Sequence, residues 1–315
     1  MQQKTKIKWL LFHEPVELFI RTAEDFQKHL NELTNDKFDF EIMTWDDYAE
    51  KYLDGEIRER ITELKKGNIQ ITQVFSDAAG KANATDFYAL GMPYLFSSHE
   101  HATRVFEGEI GKKLFDHLYE KSGVRGLAYT YSGGYRCTAS TTPLRTVEDF
   151  ANKTFLRENN PIVADMIDLV GAKKVSNLPS TWSNMGKEET DIAQTTYPRY
   201  HVDATKQQTY VSDTKHSMFL TTILCNNEFY NSLSEEDRGH FYEAALRASR
   251  VERKQSVQDA IDIKTLPEKQ KERGIEQVIE WSDEEIEKLK KIWAPLYKKY
   301  DKFFTFDILD KIKKA

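Results

Sequence analysis

Apolar positions recur along this chain in two alternating rhythms. Lys6-Ile7-Lys8-Trp9-Leu10-Leu11-Phe12 alternates and then becomes a continuous apolar run, as a strand does on entering a buried sheet. His13-Glu14-Pro15 stands at its carboxyl end, and Val16 to Leu33 repeats apolar residues at helical spacing through Phe19, Ala23, Phe26 and Leu30. Phe38 to Met43 reads as a second strand. Thr44-Trp45-Asp46-Asp47-Tyr48 leads into a charged helix ending near Lys65-Lys66-Gly67, and Ile69 to Phe75 is a third strand. This is the βαβαβ order of an open, mostly parallel sheet. Ligands of such sheets sit beyond the carboxyl ends of the strands. That rule singles out His13 and Glu14, then Trp45-Asp46, then Phe75-Ser76-Asp77.

The pattern sharpens between Gly126 and Gly171. Leu127 to Tyr131 has the β-branched and aromatic character of a buried strand, and Ser132-Gly133-Gly134 is expected to break it. Arg136 follows the break. After a Pro143 turn and a short helical signal at Thr146 to Phe150 comes a strand, Lys153 to Arg157, that ends in a second arginine. Asn160 then suits a helix N-cap and Pro161 the first helical position, where its missing N–H costs nothing. The helix Ile162 to Val170 stops at Gly171. A strand end, a guanidinium and free helix N–H groups together are the recipe for holding an anion, although two surface arginines beside an ordinary turn would give the same string.

Further on, an extended segment at Gly91 to Phe96 precedes a helix opened by Ser98-Glu100-His101. Beyond Gly171 the pattern gives an extended segment to Pro179 and a helix around Thr181 to Lys187. A short strand at Asp191 to Thr196, Tyr197-Pro198-Arg199 and a polar helix with Val202 and Ala204 come next. Ser217 to Cys225 is a strand. Leu233-Ser234-Glu235-Glu236-Asp237 starts a helix, with a serine cap and acids in the first turn, that runs unbroken to about Lys264. Gly274 to Ile279 adds a strand, and Ser282 caps a last amphipathic helix through about Tyr300. A helix as long as the one after Ser234 usually bridges packing units. With no repeat and no flexible linker, the expected architecture is two α/β lobes joined by crossing strands and that helix. Lobe I is expected to hold residues 1–131 and 218–258, lobe II residues 132–217 and 259–315.

Composition narrows the function more than the fold. The chain has 315 residues, 39% hydrophobic and 30% charged, which suits a soluble globular protein with room for two cores. A net charge of −6, with no basic stripe among aromatics, argues against a nucleic-acid partner. No apolar run is long enough to span a bilayer. Met1-Gln2-Gln3-Lys4 runs into a strand with no secretory leader, which fits a cytosolic protein or a mature domain behind a new Met. Cys137 and Cys225 have no metal spacing and could form at most one bridge. The nucleophile-elbow, P-loop and dinucleotide glycine motifs are absent, and no nucleophile has a base beside it. His99 and His101 read as a solvated loop, and Asp46-Asp47 and Glu235-Glu236 as cap charge. Neither an enzyme nor a bound cofactor has residues to stand on, and no metal is expected.

The chain resembles the DctP-type solute-binding proteins of tripartite ATP-independent periplasmic (TRAP) transporters over nearly its whole length. The resemblance is carried by Leu64-Lys65-Lys66-Gly67-Asn68-Ile69, Met92-Pro93-Tyr94 and Gly134-Tyr135-Arg136. Val147-Glu148-Asp149-Phe150, Val170-Gly171-Ala172, Asp191 and Asn227 to Glu236 complete the set, in the family's order and spacing. It implies a two-lobed, periplasmic-binding-protein-like fold, each lobe an open mixed or mostly parallel sheet with flanking helices, closing about a hinge on a small organic acid. The partner would be a membrane permease, the location periplasmic, and the receptor a monomer. It also implies an arginine on the carboxylate at the end of the strand before Asn160. Here that position falls on Leu156, with Arg157 one residue late, which in a strand means the opposite face. A bulge that re-aims Arg157, or a pocket without the usual clamp, are the two readings, and Arg199 is a substitute cation. The expected contacts are Arg136, Arg157, Asn160, Trp182, Thr195, Tyr197, Arg199, His13, Glu14, Phe75 and Asp77. Phe75 and Trp182 point to an aromatic or partly apolar acid, with core packing the plainer role for both. The displaced arginine also leaves open a ligand sensor of the same fold that serves a partner other than a permease.

Overall fold

The computed structural model describes residues 4–11, 13, 15–53, 60–157, 160–176 and 190–315, with Arg60, Arg157 and Ser176 described for their backbone only. Glu14, Trp182 and the helix expected at Thr181 to Lys187 lie outside the described residues. The strands, in chain order, are β1 Thr5–Leu11, β2 Phe38–Thr44, β3 Ile71–Phe75, β4 Val124–Tyr135, β5 Cys137–Ser140 and β6 Thr154–Arg157. They continue with β7 Lys173–Ser176, β8 Ile192–Thr195, β9 Tyr210–Ser212, β10 Met218–Asn226 and β11 Gln277–Ile279. One sheet has the order β2-β1-β3-β10-β4, the other β11-β9-β5-β8-β6-β7. The chain is α/β, as the pattern of the first hundred residues suggested.

Two compact units divide it. Unit 1 holds residues 1–84, 104–131 and 220–255; unit 2 holds 85–103, 132–219 and 256–315. Residues 85–103, expected in lobe I, cluster with unit 2.

In unit 1, β1 runs parallel to β2 and β3, and β10 is antiparallel to β3. Every residue of β3 and β10 is buried, which is why both read as unbroken apolar or Thr-rich runs rather than alternating ones. Their one long polar residue, Gln73, is tied in place through its amide nitrogen: Nε2 donates to Thr130 Oγ1 at 2.7 Å and Thr221 Oγ1 at 2.8 Å. Trp9 meets Phe26 edge-on at 5.1 Å, and Phe241 of the long helix Glu235–Thr265 sits edge-on to both Phe26 and Phe38. Thr44 and Asp47 form a reciprocal capping box on the helix Trp45–Tyr52, so that acidic pair is cap chemistry.

In unit 2, β5 is antiparallel to β8 and β9, while β6 is parallel to β7 and β8. Asn160 caps the helix Pro161–Leu169, accepting from the Ile162 N–H at 3.0 Å, with Pro161 in the first turn. Ser282 caps Asp283–Trp293; Pro295 then begins a separate helix, Pro295–Tyr300, where one continuous helix was expected. A last helix, Ile308–Lys314, had no distinct sequence signal.

Two expectations are corrected. His99 and His101 open the helix His99–Glu107 rather than a solvated loop. His101 is buried: Ser97 N–H donates to Nδ1 at 3.1 Å, so Nε2 carries the proton and donates to the Ile312 carbonyl at 2.7 Å. His99 rests on the Tyr135 ring at 4.8 Å, and burial holds its pKa down. The second correction concerns Ser132-Gly133-Gly134, which does not end the strand: β4 continues through to Tyr135. Gly133 and Gly134 achieve this with φ of +93° and +81°, a region glycine enters without steric cost.

Gly133 also lets Thr196 and Pro198 approach its backbone, because a Cβ there would collide with the Thr196 hydroxyl. Gly133→Ala should therefore lose roughly 2–5 kcal/mol, combining the handedness cost with overpacking. Gly123→Ala, at φ +71° but with nothing within 4 Å, should lose only about 1–2 kcal/mol. Urea unfolding of the two variants checks the difference.

Candidate functional site

Two of the residues expected to bind an anion, Arg136 and Arg199, meet at one ring in unit 2. Arg136 occupies the single residue between β4 and β5, and its N–H donates to the Ser217 carbonyl at 2.8 Å. This fixes the arginine beside β10, whose second residue is Phe219. The Arg136 guanidinium lies 3.7 Å from the centroid of the Phe219 ring, and Arg136 is only 7% exposed. Arg199 shares the same ring at 4.6 Å and is fully buried. Guanidinium groups stack on aromatic faces because they are flat and weakly hydrated, so Phe219 holds both in defined positions.

The two arginines differ in how their charge is met. Arg199 makes a bidentate pair with Asp203, Nη2 to Oδ1 at 2.7 Å and Nε to Oδ2 at 3.0 Å, and Nη1 donates to Ser132 Oγ at 3.2 Å. Thr195 donates to the same carboxylate at 2.9 Å, and Thr196 Oγ1 donates to the Ser132 carbonyl at 2.9 Å. Arg199 and Thr195 are thus joined through Asp203, a residue with no place among the expected contacts. The i,i+4 Arg-Asp spacing on Tyr197 to Asp203 was the available signal. In this arrangement Arg199 braces the loop after β8 rather than standing as a spare cation.

Tyr197 packs with Cys137, Ala139, Tyr200, Val211, Ile263 and Ile275 in a hydrophobic cluster, and burial pushes its phenol pKa far up. Its position is that of a core ring. Asn160 is 1% exposed, and its Nδ2 lies 2.7 Å from where a Cβ on Gly91 would stand. The β6–β7 ladder runs from Thr154↔Lys173 to Arg157↔Ser176 with one residue opposite one, so the bulge considered for Arg157 is absent and Leu156 is paired in register with Val175. Asp191 joins β6 to the end of β5, accepting from Thr154 N–H and Oγ1 and from Thr141 Oγ1 at 2.8, 2.9 and 3.3 Å. Burial alone would raise its pKa; those bonds and the charge of Lys153 outweigh it and hold the carboxyl below its ordinary value.

A polar chain lies close by in the same unit. His216 Nε2 donates to Gln194 Oε1 and its Nδ1 accepts from Thr214 Oγ1, both at 2.7 Å, and Gln194 faces Thr138 across the β5–β8 ladder. The His216 pKa falls to about 3, through burial first and the charge of Arg136 second. The pair Thr138 and Gln194 borders a void of about 10 Å³ closed off by Phe150, Phe155, Met166 and Trp293, which is core space of about one water.

In unit 1, His13 stacks on Phe75 with centroids 3.8 Å apart and planes at 17°, at the carboxyl ends of β1 and β3. Phe75 is buried and also meets Phe19. Asp77 lies in the first turn of the helix Ser76–Lys81. Both cysteines are free thiols, and among the described residues no cluster of His, Cys, Asp or Glu could hold a metal.

The model of the bacterial extracellular solute-binding proteins, family 7 (DctP), matches residues 17–303, and the chain belongs to that family. Among relatives, the C4-dicarboxylate-binding protein DctB of Bacillus subtilis is 23% identical over 91% of this chain and 79% of its own. The C4-dicarboxylate-binding periplasmic protein DctP of Rhodobacter capsulatus is 22% identical over 69% of this chain and 63% of its own. A TRAP periplasmic solute-binding protein of Shewanella oneidensis with bound succinate superposes with a TM-score of 0.80 at 16% identity, covering 99% of both chains. One from Polaromonas sp. JS666 bound to D-erythronate gives 0.80 at 21% identity, over 98% of each. The protein is a TRAP-type solute-binding receptor, of an extracytoplasmic binding class rather than an enzyme class. Among the described residues no helix is long and apolar enough to cross a membrane.

Two measurements probe this framework. Asp203→Ala leaves the Arg199 charge buried without its carboxylate and should cost about 3–5 kcal/mol in urea unfolding. His216, whose folded pKa of about 3 lies below the unfolded value of 6.5, stabilises the fold fully only above pH 6.5 and loses that contribution as pH falls towards 3. Between pH 7.5 and 5 the parent should therefore lose up to about 1.4 kcal/mol per pH unit below 6.5 that His216→Gln does not.

Proposed function

We propose that this receptor captures a small organic acid, with the Arg136 guanidinium on its carboxylate, and hands it to a membrane permease after closing over it. The observation that carries this reading is the burial of Arg136 at 7% exposure on the Phe219 ring, at a strand end in the sheet of unit 2. A cation held there against an aromatic face is already desolvated and oriented. A ligand carboxylate would meet it without the entropy loss of ordering a mobile side chain. Succinate, D-erythronate and C4-dicarboxylates, named for the relatives and structural neighbours above, are all of this chemical class.

Phe219 supplies aromatic surface beside Arg136, which favours an acid with an apolar or aromatic portion over a highly hydroxylated one. Asn160, Thr195 and Trp182 are the further contacts in this proposal. Arg199 enters through Asp203 and Thr195, holding the loop rather than the ligand. We assign the same site to delivery rather than sensing, because the whole-chain likeness is to transport receptors.

A panel of aliphatic and aromatic carboxylates screened by thermal shift should raise the melting temperature of the parent. The ligands that do so should lose about 2–5 kcal/mol of binding to Arg136→Ala, measured by calorimetry. Undiminished binding to that variant would remove Arg136 from the ligand site.

A further inference from the structure

A cavity of about 480 Å³ lies wholly within unit 1, bordered by β4, the helix Glu109–Ser122 and the long helix Glu235–Thr265. It touches none of the residues assigned to the organic-acid site. Its volume falls in the range of small-molecule sites, roughly 300–1,000 Å³. One wall is a stack of three rings: Phe115 on Tyr129 at 4.2 Å and Phe106 on Tyr129 at 5.0 Å. Gly126 admits this wall, since the Phe115 ring occupies the place of its missing Cβ. Leu246 and the exposed Tyr242 face it from the long helix.

Most charges around the cavity are met by one another. Glu107 is held by both Arg250 and Arg253, and Arg253 Nη1 donates to the Tyr129 carbonyl at 2.7 Å. Asp116 pairs with Lys112 at 2.7 Å, and Glu109 adds its field to the same lysine. Arg125 has no carboxylate among the described residues. Its guanidinium lies over the rings of Tyr119 and Tyr230, at 4.9 and 4.7 Å. Nε and Nη2 both donate to the one oxygen of Asn227, at 3.3 and 3.0 Å. Of the five donors of a guanidinium, the remainder are left for another acceptor. The cation is thus fixed in place by two rings and a neutral amide, with its charge unanswered, at the edge of an aromatic-walled space.

We propose that this cavity is a second ligand site, for a small carboxylate that carries a flat apolar group. The carboxylate would meet the open donors of Arg125, and the flat group would lie along Phe115, Tyr242 and Leu246. Planar fork and planar acid match in geometry, and the tyrosine faces pre-order the arginine. The site is independent of the Arg136 reading, and either can fail without the other.

The probe is 4-iodobenzoate, soaked into crystals of the full chain for anomalous location of the iodine, and titrated calorimetrically into the parent and four variants. Iodine should appear in the cavity, with the carboxylate about 3 Å from the Arg125 guanidinium. Arg125→Gln should weaken this binding at least about tenfold, as loss of a charge-assisted bond does. Arg125→Lys, which keeps the charge but not the fork, should fall between, and Leu246→Trp should block the space. In Arg136→Ala the iodine should remain in the cavity, and any titration heat lost in that variant belongs to the organic-acid site. Iodine found only elsewhere in the parent, or cavity iodine undiminished in Arg125→Gln, overturns the proposal. Disappearance of the cavity iodine in Arg136→Ala would also overturn it, by making that binding depend on the other site.

Discussion

The ion pair of the buried Arg199 with the partly exposed Asp203 is the constraint on which the rest of unit 2 depends. A guanidinium with no solvent contact is tolerable only when its charge and donors are met, and here the carboxylate, the Ser132 hydroxyl and the Phe219 ring meet them together. Those partners come from the loop after β8, from β4 and from β10. The pair therefore sets the positions of three chain segments at once, and the second arginine on Phe219 inherits its place from that arrangement. Polar burial of this kind contributes little net stability compared with an apolar substitute. What it supplies is one defined geometry, which a binding arginine needs more than the fold does.

Unit 1 applies the same logic without charge. Gln73, Thr130 and Thr221 meet in the middle of a sheet whose strands are otherwise apolar, and their bonds to one another satisfy groups that would be costly to leave alone. Three residues far apart in sequence must be in register for this to close. An alternative pairing of β3 with β10 would leave an amide unsatisfied in the core, so the network selects the native register.

The α/β architecture was legible because buried parallel strands and amphipathic helices leave strong periodic signals, and β1 to β3 could be read to within two residues, although the single helix expected between Thr44 and Gly67 is two, Trp45–Tyr52 and Arg60–Lys65. Caps were equally readable: Thr44-Asp47, Asn160-Pro161 and Ser282 act through neighbours in sequence. What escaped were features decided by distant partners. Gly133-Gly134 looks like a break, but the strand continues because Thr196 and Pro198 pack on a backbone that lacks a side chain. His101 looks polar and exposed, but it is buried because a carbonyl of the last helix waits for its proton. At the candidate site, Arg136 stood out by its position after a glycine pair. The role of Asp203 did not, since only the folded loop reveals which charge Arg199 answers. The β6–β7 ladder, with one residue opposite one from Thr154 to Arg157, could not be read from the string either, because a bulge depends on the neighbouring strand.

Neither unit is a continuous stretch of chain: the boundary is crossed at 84/85, 103/104, 131/132, 219/220 and 255/256. No single cut can release either half intact, and a fragment ending at any one junction would carry strands whose neighbours are missing. Exchanging a whole half between related receptors, whether by laboratory shuffling or by recombination of genes, would require all of those junctions to change together. New ligand preferences in such a chain are therefore reached far more readily by point changes around a fixed scaffold than by trading modules.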